Sequence, residues 1–270
     1  RTQVRAYRDP GDIAHVAVIR RAQERAELLA DVSQFDTSNR VVYASVGDAL
    51  RAVPSANAGN SRVSSYQSFS LKVRGFLADQ MRNGVRQRYY EDVDASALSD
   101  VERIEVLKGP SSVLFGQSAV GGIVSIVTKR PQKEFSASAA ATFGSDDRKL
   151  GTFDVTGPLS DNLYFRLTGE IERSGTFVDY QDQDRENAGF ALTYEPSDRV
   201  SAHLVTEWVA RRSSRYPGLP VIGTIQSNGI REIPVERFLS EPNFSNLDSF
   251  APLVQAWVDF KVNDNWTITP

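Results

Sequence analysis

The second half of the chain alternates apolar and polar residues, and this period of two constrains the fold more than any other feature. The alternating stretches lie at residues 135–143, 151–155, 163–172, 188–194, 200–211 and 254–262, and another begins at Trp266. Side chains two apart on a β-strand share a face, so each stretch predicts a strand with one apolar and one polar face. About six to seven strands are therefore predicted here.

Two all-β architectures have this alternation, and they differ in which face points outward. In a soluble sandwich the apolar face is buried, whereas in a transmembrane β-barrel the apolar face is directed to lipid and the polar face to the lumen. Both have the same period, so the pattern by itself does not choose between them.

The connections between the predicted strands favour the barrel. Short connections at 157–162, 195–199 and 263–265 alternate with long ones at 174–187 and 212–250. Outer-membrane barrels have short turns on the periplasmic side and longer loops on the outer side. The connection at 145–149 is a short exception on the predicted outer side.

A compact βαβ-like unit is predicted upstream of these strands. Residues 101–107 alternate apolar and charged side chains, as a strand does. Gly109-Pro110 ends this run, and 111–115 can form one or two helical turns. After Gly121-Gly122, the β-branched run at 123–127 predicts a buried strand. Helices are also predicted at 20–30 and 46–53, and a two-residue hairpin at Asn83-Gly84.

The βαβ-like unit resembles the end of the plug domain of TonB-dependent outer-membrane receptors. The matching pieces, in chain order, are KVRGF, NGV, VERIEVLKGP, SVLFG and GGIVSIVTKRP. Five pieces in the right order and at the right spacing make this a specific resemblance, which covers about 45–270 and is strongest at 99–131.

The resemblance implies an α+β plug domain at 1–131, followed at 132–270 by the first about six to seven strands of an antiparallel transmembrane β-barrel. A plugged transporter barrel has about 22 strands, so the chain is expected to be a fragment with an incomplete barrel. Neither a TonB box nor a signal peptide is recognised in it.

Composition and motifs exclude several kinds of chemistry. The 270 residues carry a net charge of −3, with no cysteine and two histidines, so thiolate sites and cysteine nucleophiles are absent. No catalytic set emerges, and the chain is predicted not to be an enzyme. No resident cofactor or metal is expected, because in the family that the chain resembles iron arrives already held by the siderophore.

The resemblance also implies where a ligand would bind. In ferrichrome-type receptors the ferric siderophore rests on the outer apex of the plug and needs aromatic surface and hydrogen-bond donors. The corresponding positions here are Arg62, Gln80, Tyr89 and Tyr90, all expected in loops, together with Tyr216 in the long 212–250 connection. The siderophore itself is not identified.

Two basic residues are expected to hold the plug in the barrel. Arg74 and Lys108 occupy positions at which these receptors carry basic plug residues facing glutamates of the barrel wall. The partner glutamates are expected beyond Pro270.

The resulting prediction is an outer-membrane TonB-dependent receptor and transporter for ferric siderophores in a Gram-negative cell. Its expected partners are the ferric siderophore, the TonB-ExbB-ExbD energy-transducing complex and outer-membrane lipid, and no nucleic acid. The alternatives are a TonB-dependent receptor for another ligand, a soluble β-rich binding protein and, less favoured, a hydrolytic β-sandwich enzyme.

Overall fold

The computed structural model describes the greater part of the chain, namely residues 3–5, 31–36, 50, 53–58, 71–87, 98–109, 120–214, 218–242, 244, 246–263 and 266–269. The helices predicted at 20–30 and 111–115, and most of the one at 46–53, lie outside the described residues.

The described strands fall into three sheets. In chain order they are β1 Gln3–Arg5, β2 Asp31–Asp36, β3 Ala56–Ala58, β4 Leu71–Val73, β5 Phe76–Leu77, β6 Asp79–Arg82, β7 Val85–Gln87, β8 Val101–Lys108, β9 Gly122–Thr128, β10 Ser136–Phe143, β11 Lys149–Ser160, β12 Leu163–Gly175, β13 Asp182–Ser197, β14 Val200–Ser214, β15 Asn246–Asn263 and β16 Trp266–Thr269.

The largest sheet, here called the wall sheet, confirms the predicted run of strands. Its order is β1-β16-β15-β14-β13-β12-β11-β10, and the seven strands from β10 to β16 pair antiparallel in sequence order. The short strand β1, which the sequence did not predict, pairs parallel with β16. Strands β12 to β15 extend into the predicted loops, so the 174–187 and 212–250 connections are shorter than expected.

The two faces of the wall sheet have opposite polarity. Apolar side chains such as Phe153, Leu167, Ile171 and Val254 are exposed on one face. The other face carries side chains that are polar yet buried, namely Thr156, Thr168, Glu170, Glu172, Asn187, Thr193, His203, Glu207 and Gln255. In a soluble sandwich the apolar face would be buried and the polar face exposed. The observed arrangement is the one predicted for a barrel wall, with the apolar face exposed and the polar face buried.

None of the described helical segments is long and apolar enough to cross a membrane.

A five-stranded sheet, here called the inner sheet, has the order β2-β8-β9-β6-β7, and β3-β4-β5 form a small third sheet. The alternation predicted for 101–107 is confirmed, since Ile104 and Val106 are fully buried and Glu102 is exposed. The main hydrophobic core joins the inner and third sheets, and its members are Leu50, Val53, Val73, Ala78, Val101, Ile104, Val106, Val124 and Ile126.

Two hairpins of these smaller sheets turn on two residues each. Asn83 and Gly84 have φ of 50° and 81° and connect β6 to β7, which confirms the predicted hairpin. Arg74 and Gly75 have φ of 54° and 83° and connect β4 to β5 in the same way. Turns with positive φ at both central residues match the twist of the flanking strands.

The Gly121-Gly122 turn lets β9 approach the neighbouring backbone closely. A Cβ at Gly122 would lie 2.0 Å from the carbonyl oxygen of Leu107, and one at Gly121 would lie 2.5 Å from that of Leu77. Gly122 also has φ of 131°, a conformation that other residues rarely adopt. The two glycines therefore fix how β9 enters the inner sheet.

Candidate functional site between the inner sheet and the wall sheet

A buried ionic triad joins the inner sheet to the wall sheet. Arg82 ends β6, Asp100 lies in the turn before β8, and Glu207 lies on the polar face of β14. Nη2 of Arg82 donates to a carboxylate oxygen of Asp100 and, at 2.7 Å, to Oε1 of Glu207. All three residues are buried, at 4%, 6% and 5% exposed respectively. The triad therefore fixes two segments of the inner sheet to one point of the wall.

The two carboxylates keep Arg82 charged in spite of its burial. Burial lowers the pKa of the guanidinium, but the charges of Asp100 and Glu207 and their hydrogen bonds more than offset this, so that the pKa is raised above its ordinary value. Arg82 is a cation throughout the accessible pH range.

A second wall carboxylate holds the turn that contains Asp100. Oε2 of Glu170 accepts hydrogen bonds from the backbone N–H groups of Leu98 at 3.3 Å and Ser99 at 3.2 Å. Arg185 on β13 pairs with the same carboxylate from the other side. Glu170 is buried, so its carboxylate has lost its hydration. The two backbone N–H groups and Arg185 compensate for that loss.

Amide side chains complete the contact. Nδ2 of Asn187 lies 3.4 Å from Oδ1 of Asp100 and 3.3 Å from Oγ of Ser99. On the other side, Gln255 of β15 donates to the backbone carbonyl of Arg82 at 3.0 Å, and its Oε1 accepts from Nδ2 of Asn83 at 2.8 Å. Strands β12 to β15 thus each contribute a polar residue that contacts the inner sheet.

The segment that connects the inner sheet to the wall sheet, residues 129–135, is also held by hydrogen bonds. Nζ of Lys129 donates to the carbonyl of Ser99 at 2.8 Å and to Oδ2 of Asp154 at 2.9 Å. Arg166 holds Asp154 with two hydrogen bonds of 2.8 and 2.7 Å and donates to the carbonyl of Arg130 at 2.9 Å. This geometry fixes the exit of the chain from the inner sheet.

Further along the same connection the backbone N–H of Gln132 donates to Oγ1 of Thr156 at 2.9 Å. Lys133 pairs with Glu195 at 2.6 Å, and the hydrogen bond with that carboxylate raises the pKa of Lys133. This last pair is exposed and contributes little to stability.

A stacked pair of rings, Trp257 and His203, lies beside this connection. The guanidinium carbon of Arg130 lies 5.9 Å from the ring centre of Trp257, which stacks on His203 at 5.1 Å. Nδ1 of His203 lies 3.0 Å from Oγ1 of Thr193, and its Nε2 lies 3.3 Å from Oδ2 of Asp259. His203 is thus a packed residue of the polar face, as its alternation on the strand indicates.

The structure describes only part of the predicted ligand-binding set. Arg62, Tyr89, Tyr90 and Tyr216 lie outside the described residues. Gln80 was expected in a loop, and this expectation is wrong, because Gln80 lies on β6, is 8% exposed and donates to Oε1 of Gln87 at 3.2 Å. The short segment between Arg74-Gly75 and Asn83-Gly84 is a strand because it pairs with β9.

Arg74 and Lys108, the two basic residues predicted to contact the barrel wall, lie close to each other. Arg74 is exposed in its turn, and a Cβ at Gly109 would lie 3.6 Å from its Nη1. Lys108 is 7% exposed at the end of β8. Their pairing with wall glutamates stays a prediction. Among the described residues, no group of three or more histidine, cysteine, aspartate or glutamate side chains could hold a metal ion.

Sequence reasoning missed the contacts that the structure places between the sheets. These are Arg82, Asp100 and Lys129 from the inner side, and Asp154, Glu170, Asn187, Glu207 and Gln255 from the wall. One signal was available, because the wall residues all fall on the polar face of the alternating strands. Which of them meet the inner sheet depends on the register between strands far apart in sequence.

Comparisons with known proteins agree with this architecture. Residues 30–123 match the family described as TonB-dependent Receptor Plug Domain. The metal-pseudopaline receptor CntO of Pseudomonas aeruginosa is 32% identical over 178 residues, which is 65% of this chain and 25% of that protein. The ferrichrome outer membrane transporter/phage receptor of Escherichia coli is 29% identical over 238 residues, which is 83% of this chain and 31% of that protein.

A solved structure has the same fold. The closed form of the ferric-catecholate import receptor Fiu of Escherichia coli superposes with a TM-score of 0.77 at 20% identity, covering 87% of this chain and 35% of that one. The chain spans less than a third of the length of the two curated relatives, at 25% and 31%. On this family match over residues 30–123, these relatives and this fold, the chain is similar to the TonB-dependent receptors of the outer membrane.

Proposed function

We propose that this chain is part of an outer-membrane receptor that takes up ferric siderophores. One observation carries the proposal: the inner sheet and the connection after it are bound, through the buried Arg82–Glu207 pair and the partly buried Lys129–Asp154 pair, to the polar face of a wall whose other face is apolar and exposed. A wall with an apolar outside and a filled, polar inside is what a plugged transporter requires in a bilayer.

In the proposed division, residues 1–131 form an α+β plug and residues 132–270 form the first barrel strands. The inner sheet ends at Thr128 and the wall sheet begins at Ser136, which supports a boundary in the anchored connection between them. The exposed apolar face would contact outer-membrane lipid. The plug would be moved by the TonB-ExbB-ExbD complex, and no step would require an enzyme active site or a resident cofactor.

For the ligand, the proposed contacts at the plug apex are Arg62, Tyr89, Tyr90 and Tyr216, together with Gln80, which was predicted in the same set. The names of the relatives support a metal chelate, since they include ferrichrome and a ferric catecholate. The burial of Gln80 and its bond to Gln87 favour a supporting role for this residue over direct contact.

A second candidate is a receptor for a chelate of another metal. It is favoured by one relative, the metal-pseudopaline receptor CntO, whose name does not specify iron. In either case the organic chelator supplies the metal ligands, and the protein needs only a shaped surface with hydrogen-bond donors.

The test uses the full-length receptor, expressed in a Gram-negative host whose own siderophore receptors are deleted. Quenching of tryptophan fluorescence would be titrated with ferric hydroxamates, ferric catecholates and the same chelators loaded with other metals. Uptake of radioactive iron that depends on TonB supports the proposal. Free solubility without detergent, or no binding of any metal chelate, would refute it.

A further inference from the structure

We propose that Glu207 and Gly189 form a socket on the wall that seats the Arg82–Asp100 pair, and that the cation of Arg82, shared between the two carboxyl groups, keeps the plug closed against the wall. This inference rests on the proposed function in one respect, namely that the inner sheet stoppers an aqueous lumen. It assigns a positioning role to residues that the sequence reasoning did not single out.

The socket is shaped by a glycine beside the glutamate. Gly189 on β13 is the register partner of Glu207 on β14. A Cβ at Gly189 would lie 2.5 Å from Oγ1 of Thr168 and 3.3 Å from Cβ of Asp100. The missing side chain therefore leaves room both for the Thr168 hydroxyl and for the turn that contains Asp100, which lies within hydrogen-bond reach of Asn187.

The triad has one cation between two carboxylates. Arg82 reaches both Asp100 and Glu207, and their side chains are 4%, 8% and 7% exposed. Buried charges that lose their partner are strongly destabilising, whereas a balanced pair or an apolar replacement is tolerated. Removal of Arg82 would leave two carboxylates facing each other without a cation, but removal of the charge of Glu207 would leave the Arg82–Asp100 pair intact.

The shared cation therefore predicts an order of effects that packing alone does not. Arg82→Met is expected to open the plug most, and Asp100→Asn and Glu207→Gln are expected to open it less, because each of them leaves Arg82 paired with one carboxylate. If the triad acted only by filling space, the loss of charge in Arg82→Met would matter no more than in these two shape-conserving variants.

The experiment measures ionic conductance of the purified full-length receptor in planar lipid bilayers, without any siderophore. We expect Arg82→Met to raise the mean conductance about tenfold or more over wild type, and Glu207→Gln to stay within about twofold. Hydrogen exchange of residues 101–108 should accelerate in the same order. Gly189→Ala should raise the conductance in the same direction as Arg82→Met, because its Cβ would lie 2.5 Å from Oγ1 of Thr168 and 3.3 Å from Cβ of Asp100.

Gly151→Ala provides the matched control, since it also adds a methyl group to a wall glycine but has no neighbour within 4 Å of the new Cβ. If Arg82→Met fails to assemble, the variant Arg82→Met/Asp100→Leu/Glu207→Leu replaces it, and this balanced apolar triad should assemble and close. Equal leakage from Arg82→Met and Glu207→Gln would overturn the proposal. So would a conductance of Arg82→Met that matches wild type, or failure of the triple variant to close.

The same preparation separates this inference from the proposed function. If iron uptake is absent while the conductances follow the expected order, the proposed ligand is wrong and the socket stands. If uptake is normal and the conductances do not change, the socket is wrong and the proposed function stands.

Discussion

Nη2 of Arg82, at the end of a strand of the inner sheet, donates a 2.7 Å hydrogen bond to Oε1 of Glu207 on the wall, 125 residues further along the chain. The same guanidinium holds Asp100, so a single cation connects the end of β6 and the turn before β8 to one wall strand. Bringing together residues so far apart in sequence costs conformational entropy, so we expect this contact to form after both sheets have formed.

Asp154→Asn should loosen the connection that leaves the inner sheet. The carboxylate of Asp154 accepts from both Lys129 and Arg166, and an amide would leave one of these partly buried donors unpaired. The expected cost is about 1–3 kcal/mol of unfolding free energy, by analogy with other lost charge-assisted hydrogen bonds. Hydrogen exchange at residues 129–132 is the measurement, and it should accelerate before the wall strands do.

Asp147→Asn is the control for that change. Asp147 also pairs with a lysine, Lys149, but the two side chains are 81% and 58% exposed. A solvated pair contributes about 0–1 kcal/mol, so no change in exchange at 129–132 is expected. Equal effects of the two substitutions would show that Asp154 is not an anchor.

Gly122→Ala should prevent the inner sheet from closing. Its methyl group would lie 2.0 Å from the carbonyl oxygen of Leu107, and the backbone would have to keep φ of 131°. Strain at such a position costs of order 1–3 kcal/mol, and the backbone clash adds to it. Limited proteolysis of the receptor in the membrane should cut residues 101–128 in the variant, whereas Gly151→Ala should be as resistant as wild type.

Leu167→Arg should destabilise the wall in a bilayer. Leu167 is exposed on the apolar face of β12, where the proposed lipid contact leaves a charge unsolvated. An arginine on the lipid face costs about 2–4 kcal/mol at the bilayer midplane and less near the interfaces. Urea unfolding of the receptor in vesicles measures this, and Ile225→Arg, in the long connection at 85% exposure, should change the unfolding free energy by less than about 0.5 kcal/mol. A stable Leu167→Arg receptor would contradict the assignment of the apolar face to lipid.

Tyr216→Ala should weaken binding of the ferric siderophore without moving the plug. An aromatic contact with a bulky chelate is worth about 0.5–1.5 kcal/mol beyond its area, so a loss of affinity of about three- to tenfold or more is expected. Fluorescence titration gives the affinity, and the conductance of the same variant should equal that of wild type. Gln80→Ala should have a smaller effect on affinity, since Gln80 is buried and bonded to Gln87. The reverse order would place Gln80 at the ligand.

Part of the architecture was predictable from local signals. The wall strands, the burial of Ile104 and Val106 and the hairpin at Asn83-Gly84 all follow from periods of two or from residues that adopt positive φ. The ends of the strands were predicted less well. Strands β12 to β15 continue through polar residues that the sequence analysis assigned to the connections. Such residues remain in a strand when their neighbours supply the backbone hydrogen bonds.

The interface between the sheets was not predictable in the same way. Gln80 was assigned to a loop because nothing local indicates that a four-residue segment pairs with β9, which lies about forty residues later. Likewise, no local pattern distinguishes Glu207 from the other polar residues that alternate along β14.

The sequence by itself determined the strands of the wall and the polarity of their faces, because alternation is a property of neighbours along the chain. Only the tertiary structure decided that Arg82 and Asp100 meet Glu207, and that Gly189 leaves room for them. The physical reason is that a buried charge is stable only beside its partners, and those partners come from segments whose proximity is set by strand register and by the seating of one sheet on another.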